Sequence, residues 1–424
     1  MSGKRPCAEI IAIGSEFLHG GRIESNSLFL AEGLAKSGVE VRWKTLVGDD
    51  VDQIVLAIKT AVRRAFVVVL TGGLGSTLDD CTRKAVSQVT GKALRCRSRA
   101  LAKLQTLYAL RGRSLTKIVS RQAYLPVGSQ MLDNPVGSAP GFLLEWKGRL
   151  LLALPGVAKE ARAMFEAEGY VRIAARVAHS AHFHVLEQKV LSTFGLTELE
   201  IDDRLQLIFS QASSVEYSLL ASTLGVTVAV RQWIREQRGK REFNEIDRLV
   251  PLIRHALGDH VYAEGRQSME EVVGTQLKSA AFTLSLAESC TGGLVSHRLT
   301  QVPGSSAYLD RAFVCYSNQA KEDFLGVPDR LLRRHGAVSA PVARAMAVGA
   351  RNHSRSDVAL SVTGIAGPGG GSARKPVGLV FLGIDGAAGT YTKKLQLFGD
   401  RQDVKIRASQ AALNYLRLYL LGRP

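Results

Sequence analysis

Residues 287–295 read AESCTGGLV and set three side chains that could act as nucleophiles in a row, Ser289, Cys290 and Thr291, before a Gly-Gly pair. An apolar run precedes them and a helical pattern follows, which predicts a strand-to-helix turn. A hydroxyl at such a turn caps orphan N–H groups, and the same N–H groups gather positive dipole where an anion or oxyanion can sit. Capping and chemistry are therefore both open to Ser289. A serine nucleophile needs a base, and no histidine is spaced to serve it. His297 lies along the same predicted helix, and His335 and His353 fall in separate loop or helical stretches. The segment FVCYSNQAKEDFLGV brings Tyr316 and Lys321 just after a strand pattern. A lysine whose pKa is lowered by burial can deprotonate a serine, as in Ser-Lys variants of the triad, whereas a lysine on a helix surface cannot.

Other segments carry weaker signals. SVTGIAGPGGGSARKPVG holds six glycines between Gly364 and Gly378, a loop whose N–H groups can approach a phosphate. It lacks the Lys-Ser/Thr ending of a P-loop, so ATP hydrolysis is not indicated. FVVVLTGGLGSTLDD predicts a buried strand opening into a second glycine-rich loop. Residues 92–121 carry nine Lys and Arg and no acid, either a solvated helical face or a phosphate or nucleic-acid surface. His179, His182 and His184 lack a nearby Cys or carboxylate at ligand spacing and read as strand-edge or surface residues.

The elements that must position these residues follow from length and periodicity. A chain of 424 residues exceeds one ordinary core. With 46% apolar and 22% charged residues it is globular. Five scattered cysteines with no CxxC argue against a disulfide framework or structural zinc. No window is apolar enough to span a membrane, and Glu9 and Glu16 interrupt the first apolar run, so neither membrane insertion nor secretion is expected and the cytoplasm is the expected compartment. The formal charge of +17 favours anionic partners. Strands alternating with helices at both ends of the chain predict parallel α/β sheets with function at the carboxyl ends of their strands. A small α+β unit is expected between them. The divisions expected are residues 1–175, 176–264 and 265–424.

In its motifs the chain resembles the CinA family of competence/damage-inducible proteins. AESCTGGLVSHRLTQVPGSSAYLDRAFVCYSNQAKEDFLGV, HGAVSAPVARAMAVGA, SVTGIAGPGGGSARKPVG and FGDRQDV look like successive motifs of that family's C-terminal nicotinamide-nucleotide amidohydrolase domain. AIGSEFLHGGRIESN, VGDD, TGGLGSTLDDCT, NPVGSAPGF and LPG are similar to its N-terminal molybdopterin-binding-like domain. The resemblance implies a three-layer α/β N-terminal domain, a small α+β middle domain and a C-terminal α/β amidohydrolase. It implies hydrolysis of the carboxamide of nicotinamide mononucleotide, with Ser289 as nucleophile, Lys321 as base and Tyr316 as supporting hydroxyl. Thr291, Gly292, Ser306, Thr363, Gly364 and Arg401 match or adjoin the family's substrate pocket, Arg401 as phosphate partner. The amidohydrolase step needs no cofactor. The resemblance further associates the N-terminal domain with a metal-dependent ADP-ribose pyrophosphatase activity, its candidate site being Asp49, Gly72, Gly73, Asp79 and Asp80, with Asp79 and Asp80 as metal candidates. Here that motif reads GGLGSTLDD, with Ser76 and Leu78 where the family has proline and a basic residue. The partners expected are a small nucleotide substrate and a second copy of the chain in a homodimer. The rival expectations are a basic nucleic-acid-binding module using residues 92–121 and a pterin-binding protein without amidohydrolase activity.

Overall fold

The computed structural model describes residues 5–178, 184–237, 240–241 and 243–423. The chain falls into two compact units, Met1–Glu187 with Trp233–Asn244 and Gln188–Gln232 with Glu245–Pro424. Among the described residues no helix is long and apolar enough to cross a membrane.

The first unit contains β1 (Cys7–Ile13), β2 (Glu40–Val47), β3 (Val67–Thr71), the short pair β4 (Leu94–Cys96) and β5 (Tyr124–Pro126), then β6 (Gln130–Leu132), β7 (Gly141–Trp146) and β8 (Arg149–Leu154). Six of these form one sheet in the order β2-β1-β3-β8-β7-β6, parallel from β2 to β8 and antiparallel beyond. Successive strand residues point to opposite faces. Ile10, Val67 and Val69 accordingly enter one core with Leu30 and Leu34 of the helix Asn26–Lys36. Ile11, Val68 and Leu70 enter another with Ile54, Ile58 and Ala61 of the helix Val51–Arg64. The result is the expected three-layer α/β arrangement. Asp50 starts the second of these helices by accepting Gln53 N–H at 2.9 Å. Residues 176–178, expected to open a new unit, instead end the helix Tyr170–Ala178, whose Ile173 and Val177 lie in this unit's core. His179 and His182 lie outside the described residues, and His184 begins the next strand.

That strand is β9 (His184–Thr193), followed by β10 (Val215–Ser222), β11 (Gly225–Gln237), the two-residue β12 (Lys240–Arg241) and β13 (Val261–Glu264). They form a sheet in the order β10-β11-β9-β13, with β12 beside β11. The helices Glu198–Ser210 and Glu245–Leu257 supply Ile201, Leu205, Ile246, Leu249 and Ile253 to its core. The part of this sheet that belongs to the second unit is tied to the C-terminal helix, Arg401–Leu420, whose Gln410 Nε2 donates to Leu224 O at 2.8 Å and whose Arg417 Nη2 donates to Asp259 O at 2.5 Å.

The rest of the second unit is built on β14 (Leu284–Glu288), β15 (Leu309–Val314), β16 (Val358–Gly364), β17 (Leu379–Gly386) and β18 (Gly389–Gln396), in the order β15-β14-β16-β17-β18. β14 pairs parallel with β15 and β16, and β17 and β18 extend the sheet antiparallel. Leu284, Leu286, Leu360 and Val362 pack on Val273 and Leu277 of the helix Met269–Ala280 and on Ala408 and Leu416 of the C-terminal helix. Ala287 and Ala359 face the opposite layer with Val342 and Met346. The chain leaves β14 toward β15 on one side and returns to β16 on the other. Such a switch of direction leaves a crevice at the carboxyl ends of the central strands.

Candidate active site

That crevice is where β14 delivers Ser289. β14 is buried over its whole length and ends in Glu288, itself 1% exposed. The Glu288 carboxylate accepts Val295 N–H at 3.1 Å and Ser296 N–H at 2.8 Å, the first donors of the helix Leu294–Thr300. The cap of that helix is therefore Glu288, and the Ser289 hydroxyl is free for other partners. Gly292 and Gly293 then turn the chain at φ +60° and +90°, a region that penalises any side chain with a Cβ. Gly292 N–H donates to Ser289 O at 3.0 Å, closing the turn. That bond removes Gly292 from the set of oxyanion donors. The N–H groups of Cys290, Thr291 and Gly293 donate to no backbone carbonyl among the described residues, and those of Cys290 and Thr291 lie against the Cys290 sulfur.

Lys321 comes from the helix Asn318–Leu325, started by the Ser317 hydroxyl accepting Ala320 N–H at 3.0 Å. Its Nζ lies 3.1 Å from Ser289 Oγ, 2.8 Å from Cys315 O and 3.3 Å from Ser317 O. Ser289 is 8% exposed and Lys321 1%. No carboxylate among the described residues forms an ion pair with Lys321 Nζ, and burial pushes its pKa below the ordinary lysine value. The two residues 32 positions apart in sequence thus form a hydrogen-bonded pair poised for proton transfer. Cys290 beside them is buried, and burial pushes its thiol pKa up to about 12. At neutral pH it is a protonated thiol. The Thr291 hydroxyl is fully buried and has no hydrogen-bond partner among the described residues.

The remaining expected residues divide. Tyr316 is 63% exposed, and its hydroxyl accepts Arg401 Nη2 at 2.7 Å, while Arg401 Nη1 donates to Gly367 O at 2.6 Å. Arg401 thereby links the segment after β15 to the glycine loop after β16. Thr363 is buried and donates to Ala337 O at 2.9 Å, so its hydroxyl anchors the loop before the helix Ala340–Ser354. Gly364 lies against the turn, since a Cβ there would stand 3.1 Å from Cys290 Sγ. Ser306 does not join the site within this chain. It precedes β15, whose first residue pairs with Leu284 at the amino end of β14, whereas Ser289 follows the carboxyl end. Parallel pairing across five residues puts it at the opposite end of the strands. His297 is exposed, and His353 Nδ1 lies 2.8 Å from Gly349 O.

Next to the Ser289 turn, a cleft of about 750 Å³ is lined by Leu294, Ala366, Val377, Arg401, Lys405 and Ile406, among others. Sequence reasoning missed two residues here. Glu288 is signalled only by a carboxylate between a strand and a helix start, and Lys405 by standing four residues after Arg401.

In the first unit the glycine loop adopts the geometry its sequence demands: a Cβ on Gly72 would sit 2.1 Å from Ile13 O. Asp80 accepts Gly75 N–H at 2.6 Å, Thr77 N–H at 2.8 Å and the Thr77 hydroxyl at 2.6 Å, so both its oxygens hold the loop together. Asp49 accepts Ser15 N–H at 2.8 Å, and Asp79 is exposed. No group of three or more His, Cys, Asp and Glu suited to a metal occurs among the described residues. Asp80 is thus committed to holding its own loop, and Asp79 stands apart from it in solvent. In the basic segment, Arg97 donates to Ser129 O, Arg99 pairs with Asp133, and Lys103 donates to Asn134 O. A third of the nine cations thus make contacts within the unit, Arg99 doing so from an exposed position.

The profile described as the CinA C-terminal domain matches residues 266–420, and that of a "Probable molybdopterin binding domain" matches residues 9–175. A CinA-like protein of Geotalea uraniireducens is 39% identical over 412 residues, 97% of this chain and 97% of its own. One from Solibacter usitatus is 38% identical over 417 residues, 98% of this chain and 99% of its own. The crystal structure of a competence/damage-inducible protein from Agrobacterium tumefaciens is 43% identical, covering 36% of this chain and 93% of that one, with a TM-score of 0.35.

Proposed function

The chain belongs to the CinA family, joining an N-terminal molybdopterin-binding-like domain to a C-terminal CinA domain, and on that premise we propose that it hydrolyses the carboxamide of nicotinamide mononucleotide. The observation that carries this reading is the buried contact of 3.1 Å between Lys321 Nζ and Ser289 Oγ. Neutral Lys321 takes the hydroxyl proton as Oγ bonds to the amide carbon. The carbonyl oxygen gains the displaced electron pair, and the N–H groups of Cys290 and Thr291, which donate to no backbone carbonyl among the described residues, are the donors at hand for it, each such donor being worth about 3–4 kcal/mol in comparable sites. Collapse of the tetrahedral species breaks the C–N bond, and Lys321 returns its proton to the leaving nitrogen, which departs as ammonia. Water, deprotonated by the same lysine, then cleaves the acyl-enzyme to the nicotinate product and restores Ser289. The apolar wall of Leu294, Ala366 and Val377 suits a flat aromatic ring, and the cations of the cleft suit a nucleotide phosphate.

The test is direct. Purified protein incubated with nicotinamide mononucleotide should release ammonia, and Ser289→Ala should not. Equal release by the two proteins, or none from either, ends the reading.

A further inference from the structure

Arg401 and Lys405 stand four residues apart on the C-terminal helix, so both project from one face, and both line the cleft. Their surroundings differ. Arg401 is braced at both ends, Nη1 on Gly367 O at 2.6 Å and Nη2 on the Tyr316 hydroxyl at 2.7 Å. Lys405 Nζ donates to no acceptor among the described residues and lies 3.7 Å from where a Cβ on Gly292 would be. Ser289 and Gly292 are the two ends of one hydrogen-bonded turn, which keeps their Cα atoms under about 7 Å apart. The free ammonium thus overhangs the far end of the nucleophile's own turn.

The acids nearby do not quench it. Asp400, which also lines the cleft, accepts Asp403 N–H at 2.9 Å, and Asp403 accepts Asp400 N–H at 3.3 Å, a reciprocal cap at the helix start. No ion pair to Lys405 is formed by any described carboxylate. An ammonium with three open donors, half-buried beside an apolar wall, is matched by a compact anion with several acceptor oxygens.

We infer that Lys405 binds the phosphate of the substrate and sets the preference for a nucleotide over its nucleoside, while Arg401 is a positioning residue for Tyr316 and the glycine loop. This rests on the amidohydrolase reading for the identity of the substrate, but the contact is measurable by binding alone. The assignment differs from the sequence expectation, which gave the phosphate to Arg401.

The experiment is titration calorimetry on the full chain with nicotinamide mononucleotide, nicotinamide riboside and inorganic phosphate, alongside ammonia release. Wild type should bind the nucleotide more tightly than the riboside. Lys405→Ala should weaken nucleotide binding by about tenfold to a hundredfold, the usual scale of a charge-assisted hydrogen bond, and lower the nucleotide-to-riboside ratio by the same factor. Lys405→Arg should restore most of that loss, and Lys405→Gln should not. Arg401→Ala should lower kcat for both substrates and leave their ratio near the wild-type value. Unchanged nucleotide affinity in both Lys405→Ala and Lys405→Gln overturns the inference, as does a wild type that binds neither nucleotide nor phosphate. A wild type that binds the nucleotide through Lys405 but releases no ammonia refutes the amidohydrolase reading and upholds this contact.

Discussion

Lys321 is a lysine with only 1% of its surface exposed, in a place where its type is rarely found. Burial lowers its pKa, so the neutral form required of a base is reached below the usual lysine value of about 10.4. Rate should therefore rise with pH through a limb centred below that value. The same shift has a consequence for stability. Above the unfolded pKa both states are neutral and the group contributes nothing. As pH falls, the unfolded chain takes up the proton first, so wild type loses stability until the folded lysine also titrates, below which the deficit is constant. Melting temperatures of wild type and Lys321→Met should diverge as pH drops from about 10.4, in favour of the variant, while the variant has no activity. A gap independent of pH would sink the assignment. At the neighbouring position, a thiol with a pKa of about 12 is neither a nucleophile nor readily alkylated at pH 8. Cys290→Ala should keep substantial activity where Ser289→Ala loses it, measured by ammonia release.

Between β14 and the helix that follows, one carboxylate does the work of a cap. Glu288 satisfies one buried and one half-buried N–H group, which releases the Ser289 hydroxyl toward Lys321. Removing it leaves those donors unpaired. Glu288→Ala should cost about 2 kcal/mol of unfolding free energy in urea, and Glu288→Gln, which keeps one acceptor oxygen, distinctly less. If both variants match wild type, the cap is not what holds the turn. The glycine loop of the second unit is fixed from outside in the same manner, by Arg401 at Gly367 and by Lys375, whose Nζ donates to His335 O at 2.6 Å and Val338 O at 2.8 Å. A loop that reads as flexible from composition is tied down at both ends.

Across the whole molecule the two compact units have separate hydrophobic cores, so heating is expected to give more than one calorimetric transition. Gly72→Ala forces a Cβ against Ile13 O at a φ of +109° and acts on the first unit alone. It should lower one transition by roughly 5–10 °C, at about 2–4 °C per kcal/mol for a unit of this size, and leave the other in place. A single transition that moves as one would show that the units unfold together.

Strands rich in branched apolar residues were legible at once, because VVVLT and LSLAE are buried on both faces and that requirement is written into every residue of the run. The chemistry at Ser289 was half legible: the strand-to-helix turn and its glycines follow from local rules, and the family motifs pointed to Lys321. β18 was not read at all, since GTYTKKLQ is an exposed edge strand with no apolar face to announce it. The end of the amphipathic helix at Ala178 was not legible, because its composition carries no stop signal. Sequence by itself determined the alternation of strands and helices, the sharp turns, and which residue types were available for chemistry, all of which depend on neighbours a few positions away. Only tertiary structure decided that Lys321 is buried with no countercharge among the described residues, that Ser306 lies at the opposite end of the strands from Ser289, and that Arg401 is braced while Lys405 has no described acceptor. Each of those outcomes depends on contacts between residues distant in sequence, and such contacts set the solvation and the partners of a charge.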